Sequence, residues 1–487
     1  MALNRHMKRL ALASLIYGGG SIIQRLITIL LLPFFTQVLS PKDYGIIALV
    51  SLVGIVMSGV LSLGTGNSMG VMYFSERVTK KRPSIIWTNF VLIFLNCMIW
   101  YWILYLLAPI LSYFMFKSDE YAYLIRISFL SSVFIAISDP FLAYLRMEEK
   151  AKNFVFLTFT GSLVTVSISV FFVLWKSMGV EGLILATTMG SGISFLLIIF
   201  SVGTKLKFCL NFDLVIPLVR IGVPSVFGLF AFLIIDYADR QMIERFLGIY
   251  DLGIYSIGYS FGMFMTLPVG AFCSAWPPFF MSYINKRARA KILFGQVFNY
   301  YLVIFCSLTI LFFAASLPLV KIFTSDFYHD AWVVVGLIAA AYGLKGCYVI
   351  IQAGICFEKK FGLISTIDWL AAIINIALNL LLIPVFGILG AALATFTSYL
   401  SLPIVGWLIA RSYLKVNYKA LNITVMAFLT TFISFILFFI SKGINDTGLH
   451  FSYYLLLFII PLGFFYFSFK FMLDKESKNI VLEGLKS

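Results

Sequence analysis

The chain has 487 residues, of which 61% are hydrophobic, 17% aromatic and only 12% charged, and its mean hydropathy is +1.00. Ordinary soluble domains carry roughly twice that share of charge, so the composition excludes them and indicates a polytopic membrane protein. The net charge of +15 is scattered over short loops, where it serves topology and contact with anionic lipid, and it implies no nucleic-acid partner.

A helix needs about 20 mostly apolar residues to cross the hydrocarbon. On that basis spans are predicted at 12–36, 44–64, 85–108, 122–145, 154–175, 180–203, 215–238, 252–281, 294–316, 331–356, 362–383, 387–410, 420–441 and 451–473. That makes about fourteen, with the short turns around 176–180 and 384–387 joining either full crossings or helical hairpins. The first span is too long for a cleaved signal peptide and lacks a small-residue cleavage pattern. With the N-terminus placed in the cytoplasm, one alternating set of loops collects about 25 of the 36 basic residues, among them Arg77, Lys80, Arg82, Arg146, Lys286, Arg287, Arg411 and Lys415. Both termini are therefore expected inside.

The chain also repeats itself. GVEGLILAT from Gly179 is answered by GILGAALAT from Gly387, and LSPKDYGI from Leu39 by LGIYDLGI from Leu247, each pair 208 positions apart. Fainter echoes at an offset of 209 link Pro109 and Phe114 to Pro318 and Phe323, and Glu149-Lys150 to Glu358-Lys359. The offset spans six crossings, and an even number preserves orientation, so the halves are parallel repeats about an axis along the membrane normal, with a substrate site expected between them. The expected fold is all-α: two six-helix bundles around a central cavity, 1–203 and 215–410, a cytoplasmic linker at 204–214, two appended helices within 411–473, and a cytoplasmic tail from 474. Gly182 and Gly390 fall one turn after a turn glycine, where close helix packing explains them better than a ligand does.

Charges inside predicted spans cost several kcal/mol and need a partner, water or a function. Taken in order, Arg25 stands near the middle of the first span, where it would present a bidentate site to a phosphate or pair with a carboxylate. Asp139 precedes Pro140 in the fourth span; it and Asp368 in the eleventh are candidates for carrying a proton or sodium ion, or for pairing with a cation such as Lys345. Asp236, Asp239, Arg240 and Glu244 gather where the seventh span ends and read as an internally compensated outer rim. Lys345 lies deep in the tenth span, with the same two readings as Arg25.

Other chemistry finds little support. His6, His329 and His450, the three histidines, fall in tails or extramembrane loops, and the six cysteines form no CxxC, so no metal site is expected. No Walker A glycine loop occurs, hence no built-in ATPase and no nucleotide cofactor. Asp236-Tyr-Ala-Asp239 has a magnesium-holding spacing, but Arg240 follows it and no second acidic motif supports an enzyme.

The run RLITILLLPFFTQVLSPKDYGIIAL from Arg25 and the run DRQMIERFLGIYDLGIYSIGYSFG from Asp239 resemble the polysaccharide biosynthesis family of bacterial membrane flippases, in the superfamily that also holds the multidrug exporters and the lipid II flippase. The resemblance covers the first twelve spans. It implies two six-helix bundles about a V-shaped cavity and transfer of undecaprenyl-diphosphate-linked oligosaccharides, such as O-antigen or capsule units, to the outer leaflet of the bacterial inner membrane. The diphosphate would engage Arg25, with Lys345 as second cation. A polymerase and chain-length machinery would be partners, and coupling to protons or sodium would involve Asp139 or Asp368. Lipid II branch members carry further basic residues on their second and eighth helices; here the span 44–64 has no charge and 252–281 is entered only past Asp251, which argues against lipid II. The alternatives are a cation-coupled multidrug exporter and, less favoured, a membrane glycan-processing enzyme or an assembly subunit. Tyr237, Tyr255, Tyr259 and Trp276 would either stack on sugars or simply pack.

Overall fold

The computed structural model describes residues 27, 30–75, 82–148, 150–281, 283–284, 286–358, 360–416, 418–447 and 452–472. Among them there is no strand. The chain divides into two compact units, residues 1–253 and 254–487.

In the first unit, α1 (Pro41–Ser62) opens on a capping box. The Ser40 hydroxyl accepts from the Asp43 amide at 3.3 Å, while Asp43 Oδ2 accepts from the Ser40 amide at 2.8 Å, and Pro41 takes the first helical position, where its missing N–H costs nothing. Lys42 and Asp43 thus belong to this helix, which begins earlier than the predicted 44 and is not free of charge. At Leu63 and Gly64 the backbone turns left-handed, and a short helix, α2 (Thr65–Ser75), follows where the sequence reads as a loop. Its polar TGNSMG start hides it from hydropathy, yet Met69 and Tyr73 are buried. Next come α3 (Arg82–Phe116), α4 (Ala122–Met147), α5 (Ala151–Ser169, extended by a π-turn to Trp175) and α6 (Gly179–Ser201). Leu61, Ile93, Cys97, Phe129, Val133 and Ile137 form one core of this unit.

The helix α7 (Val215–Leu247), which the repeat counts as the start of the second half, packs on α1 and α2 and clusters with the first unit. Two glycines draw in the segment that follows it. A methyl group on Gly45 would strike the Ile249 carbonyl oxygen, and one on Gly253 would strike the Pro41 carbonyl oxygen. These contacts are reciprocal: Gly45 and Gly253 are equivalent in the repeat, as are Pro41 and Ile249. The two copies of the first repeated motif therefore pack on each other.

The second unit comprises the rest of α8 (Ile249–Gly262), then α9 (Thr266–Met281), α10 (Arg287–Phe323), α11 (Trp332–Ile351), α12 (Ala353–Phe357), α13 (Phe361–Ala410), α14 (Ala420–Thr447) and α15 (Ser452–Met472). Here α10 packs on α11, α14 and α15, and α11 packs on α13. A single 50-residue helix would be about 75 Å long, far beyond the hydrocarbon thickness, and α13 is in fact two helices broken at Gly387 (φ 60°, ψ −140°). Its repeat equivalent Gly179 has φ 59° and likewise opens α6. Gly182 packs on Phe172 and Met178, and Gly390 on the Leu382 carbonyl. The second repeated motif is thus the tight turn of two helical hairpins.

Among the described residues ten helices are long and apolar enough to cross a membrane. This count takes α13 as one helix and does not include α7. Most of the predicted first span lies outside the described residues. The all-α polytopic architecture stands.

Because both close glycine contacts are with backbone, which cannot rotate away, Gly45→Ala and Gly253→Ala should each destabilise the protein by about 1–3 kcal/mol. Gly270→Ala, at a position with nothing within 4 Å of a new methyl, should not. Thermal unfolding of the detergent-solubilised protein compares the three.

Candidate functional site

Lys345 is half-buried on α11, 13 residues past Trp332, hence about 20 Å along the helix axis. One turn further, the Tyr348 hydroxyl donates at 3.0 Å to Oδ1 of Asp368, a carboxylate only 4% exposed on the first arm of α13. The Lys345 ammonium acts electrostatically on both Asp368 and Cys273. The structure therefore brings two of the sequence-predicted residues, Lys345 and Asp368, into one neighbourhood of the second unit. A neutral donor and a nearby cation hold the carboxylate, which eases the cost of burying it.

Aromatic side chains pack around α11. The hydroxyls of Tyr259 and Tyr342 lie 2.9 Å apart, Tyr342 also faces Tyr399 with ring centroids 5.6 Å apart, Tyr301 donates to the Gly343 carbonyl at 2.7 Å, and the Trp276 indole donates to the Val349 carbonyl at 3.0 Å. Tyr255, Tyr259 and Trp276 are buried. All three pack with their rings covered, and the Tyr259 hydroxyl and the Trp276 indole also meet their polar needs. Tyr237 lies under the Arg240 guanidinium, 4.5 Å from its ring centroid.

The other candidates are dispersed. Arg25 lies outside the described residues. Asp139 pairs with Arg146 at 3.1 Å, two turns along the same helix, with both side chains partly exposed; its partner is therefore not Lys345. The acidic and basic residues at the end of α7 form a network within the first unit. Arg240 donates to Asp239 at 3.2 Å and to the Asp236 carbonyl, and Gln241 donates to Glu244 at 3.3 Å. Internal compensation is present, but a rim is not the whole description: Asp239 is fully buried and Arg240 only 7% exposed.

Sequence reasoning passed over a third polar focus. Asn375 and Asn379, both fully buried on α13, share a 2.9 Å hydrogen bond, while Asn375 Nδ2, Asn379 Oδ1 and the buried Thr395 hydroxyl have no partner among the described residues. The signal was the i, i+4 spacing of two amides in the apolar run IINIALNLLLI, which a search for charges does not register. No group of three His, Cys, Asp or Glu side chains comes together among the described residues.

A family model described as "Polysaccharide biosynthesis protein" matches residues 34–334. No curated protein sequence matches the chain. Among solved structures, the lipid II flippase MurJ in an inward closed conformation superposes with a TM-score of 0.69 at 16% identity, covering 93% of this chain and 98% of that one. An inward-facing multidrug resistance MATE family transporter of the MOP superfamily gives 0.64 at 14% identity over 83% and 97%. The Vibrio cholerae MATE transporter VcmN gives 0.60 at 15% over 83% and 96%. At these identities the likeness establishes a shared fold.

Removing Arg240 strips the charged partner from a fully buried carboxylate, so Arg240→Ala should cost about 3–5 kcal/mol of stability. Asp239→Ala/Arg240→Ala together should cost less than Arg240→Ala alone. The comparison is read from the melting temperatures of the two variants and the wild type.

Proposed function

Because the chain belongs to the polysaccharide biosynthesis protein family, we propose that it translocates undecaprenyl-diphosphate-linked oligosaccharide repeat units from the cytoplasmic to the outer leaflet of the bacterial inner membrane by alternating access. The family match over residues 34–334 carries this reading. Arg25 and Lys345 supply cations for the diphosphate, the guanidinium by bidentate hydrogen bonds and the ammonium as a point charge. The polyprenyl chain stays in lipid, and the units handed across become substrate for a polymerase and its chain-length machinery. Both termini are cytoplasmic, with the basic loops on that face.

Net uphill transfer needs an energy source, and a proton or sodium gradient would act through a buried carboxylate. Asp368 suits that role better than Asp139. It is buried, held by a neutral tyrosine and under the influence of a neighbouring cation, whereas Asp139 is half-exposed and occupied by Arg146.

The test is a strain lacking the gene, complemented with wild type, Arg25→Ala, Lys345→Ala or Asp368→Asn at matched protein levels. Loss of a charge-assisted contact to phosphate is worth about tenfold or more in transfer. The two cation variants should therefore leave surface polysaccharide low while lipid-linked units accumulate, and only the wild type should restore export. Unchanged polysaccharide together with reduced drug tolerance would instead identify a multidrug exporter.

A further inference from the structure

The second arm of α13 runs from Gly387 to Ala410, a length of about 35 Å, enough to cross the hydrocarbon. Its last turn and the segment after it therefore sit at a membrane surface, on the face that carries the basic loops. There Trp407, Arg411, Ser412, Lys415, Val416 and Tyr418 line a cavity of about 440 Å³, within the roughly 300–1,000 Å³ of small-ligand sites. All of it lies in the second unit.

The cavity is cationic and has no acid of its own. The sequence contains no Asp or Glu between Asp368 and Asp446. No ion pair among the described residues involves Arg411 or Lys415. The Arg411 guanidinium stacks 5.0 Å from the centroid of Trp407, which orients its fork and leaves its N–H donors available. Trp407 and Tyr418 supply the amphipathic rings that favour a headgroup level.

A helix C-terminus ordinarily repels anions, but here its last carbonyls are occupied. The amides of Arg411, Ser412, Tyr413 and Leu414 donate to the carbonyls of Trp407, Ile409, Ala410 and Ala410 at 2.9–3.2 Å. The walls are also fixed in advance. Leu414 is 4% exposed and seated directly on Gly354, Tyr418 packs on Phe298 with centroids 4.9 Å apart, and Lys360 donates to the Tyr413 hydroxyl at 3.3 Å.

We propose that this cavity is a binding site for the headgroup of an anionic phospholipid. Arg411 grips the phosphodiester oxygens, Lys415 adds the second positive charge, and Trp407 covers the glycerol and the first carbons of the acyl chains. Basic pockets at the ends of membrane helices recognise such headgroups by this combination of charge and interfacial aromatics. The proposal is independent of what the protein carries, since none of these residues belongs to the transfer machinery described above.

The experiment uses the purified full-length protein. Retention of phosphatidylglycerol and of phosphatidylcholine is measured by native mass spectrometry and by the shift in melting temperature, for wild type, Lys415→Gln, Arg411→Gln/Lys415→Gln and a control, Lys286→Gln/Lys291→Gln, that removes two exposed cations elsewhere on the basic face. Selective phosphatidylglycerol binding is expected in wild type and control, weakened about fivefold for each cavity cation removed. Equal retention by wild type and the cavity double variant overturns the site, as does an equal loss in the control, which would reveal diffuse surface attraction. A wild-type response to inorganic phosphate as large as that to phosphatidylglycerol overturns the lipid in favour of a free anion. Should the double variant fail to accumulate, Lys415→Gln carries the test, because Lys415 is exposed and makes no hydrogen bond or ion pair among the described residues.

Discussion

The reciprocal contact between Gly45 with Ile249 and Gly253 with Pro41 is the constraint on which the first unit's arrangement rests. Without a driving force between apolar surfaces in lipid, helices associate where small residues let backbones meet, and here two backbones meet twice. The same two positions, 208 residues apart, perform the same task on each other. A duplicated segment that packs on its own copy must keep glycine in both copies, because a side chain added to either one breaks the shared interface. This explains why Gly45 and Gly253 persist in a chain whose halves otherwise agree at few positions. The contact also holds the start of α8 against α1, 208 positions earlier in the chain.

The other repeated motif persists for a different reason. Gly179 and Gly387 adopt positive φ, which an L side chain resists, and each is followed one turn later by a glycine closing a helical hairpin. Turn geometry and packing are local demands written in adjacent residues, so the repeat and the two tight turns were legible in the sequence, while the choice between full crossings and hairpins was not. The capping box at Ser40 and Asp43 escaped, because Ser-Pro-Lys-Asp reads equally as a loop motif until the helix behind it is seen. The helix α2, where a polar start masks an amphipathic segment held by Met69 and Tyr73, escaped too. The assignment of α7 to the first unit escaped as well, because chain order says nothing about which neighbour a helix chooses.

The candidate site was legible to a lesser degree, and the reason lies in what a charge search can register. Isolated ionisable residues in apolar spans identified Lys345 and Asp368, which the fold brings together, and Asp139, which it gives to Arg146. The search could not foresee that the Asp368 partner would be a tyrosine from α11, one turn beyond Lys345, since neutral donors are common in a chain with 25 tyrosines. Nor could it find Asn375, Asn379 and Thr395, whose burial is costly because Asn375 Nδ2, Asn379 Oδ1 and the Thr395 hydroxyl lack partners among the described residues.

Asp239, Asp139 and Asp368 illustrate three solutions to one cost. Asp239 is fully buried beside an arginine with which it shares a peptide bond, a pairing that moves with its own helix and can hardly be exchanged. Asp139 reaches along its helix to Arg146, where partial exposure lets water share the load. Asp368 alone relies on a neutral hydroxyl from another helix, with its cation acting from a distance. Of the three, therefore, Asp368 draws its hydrogen bond from a second helix, so its support depends on how α11 packs on α13, whereas the pairs Asp239–Arg240 and Asp139–Arg146 each travel with one helix.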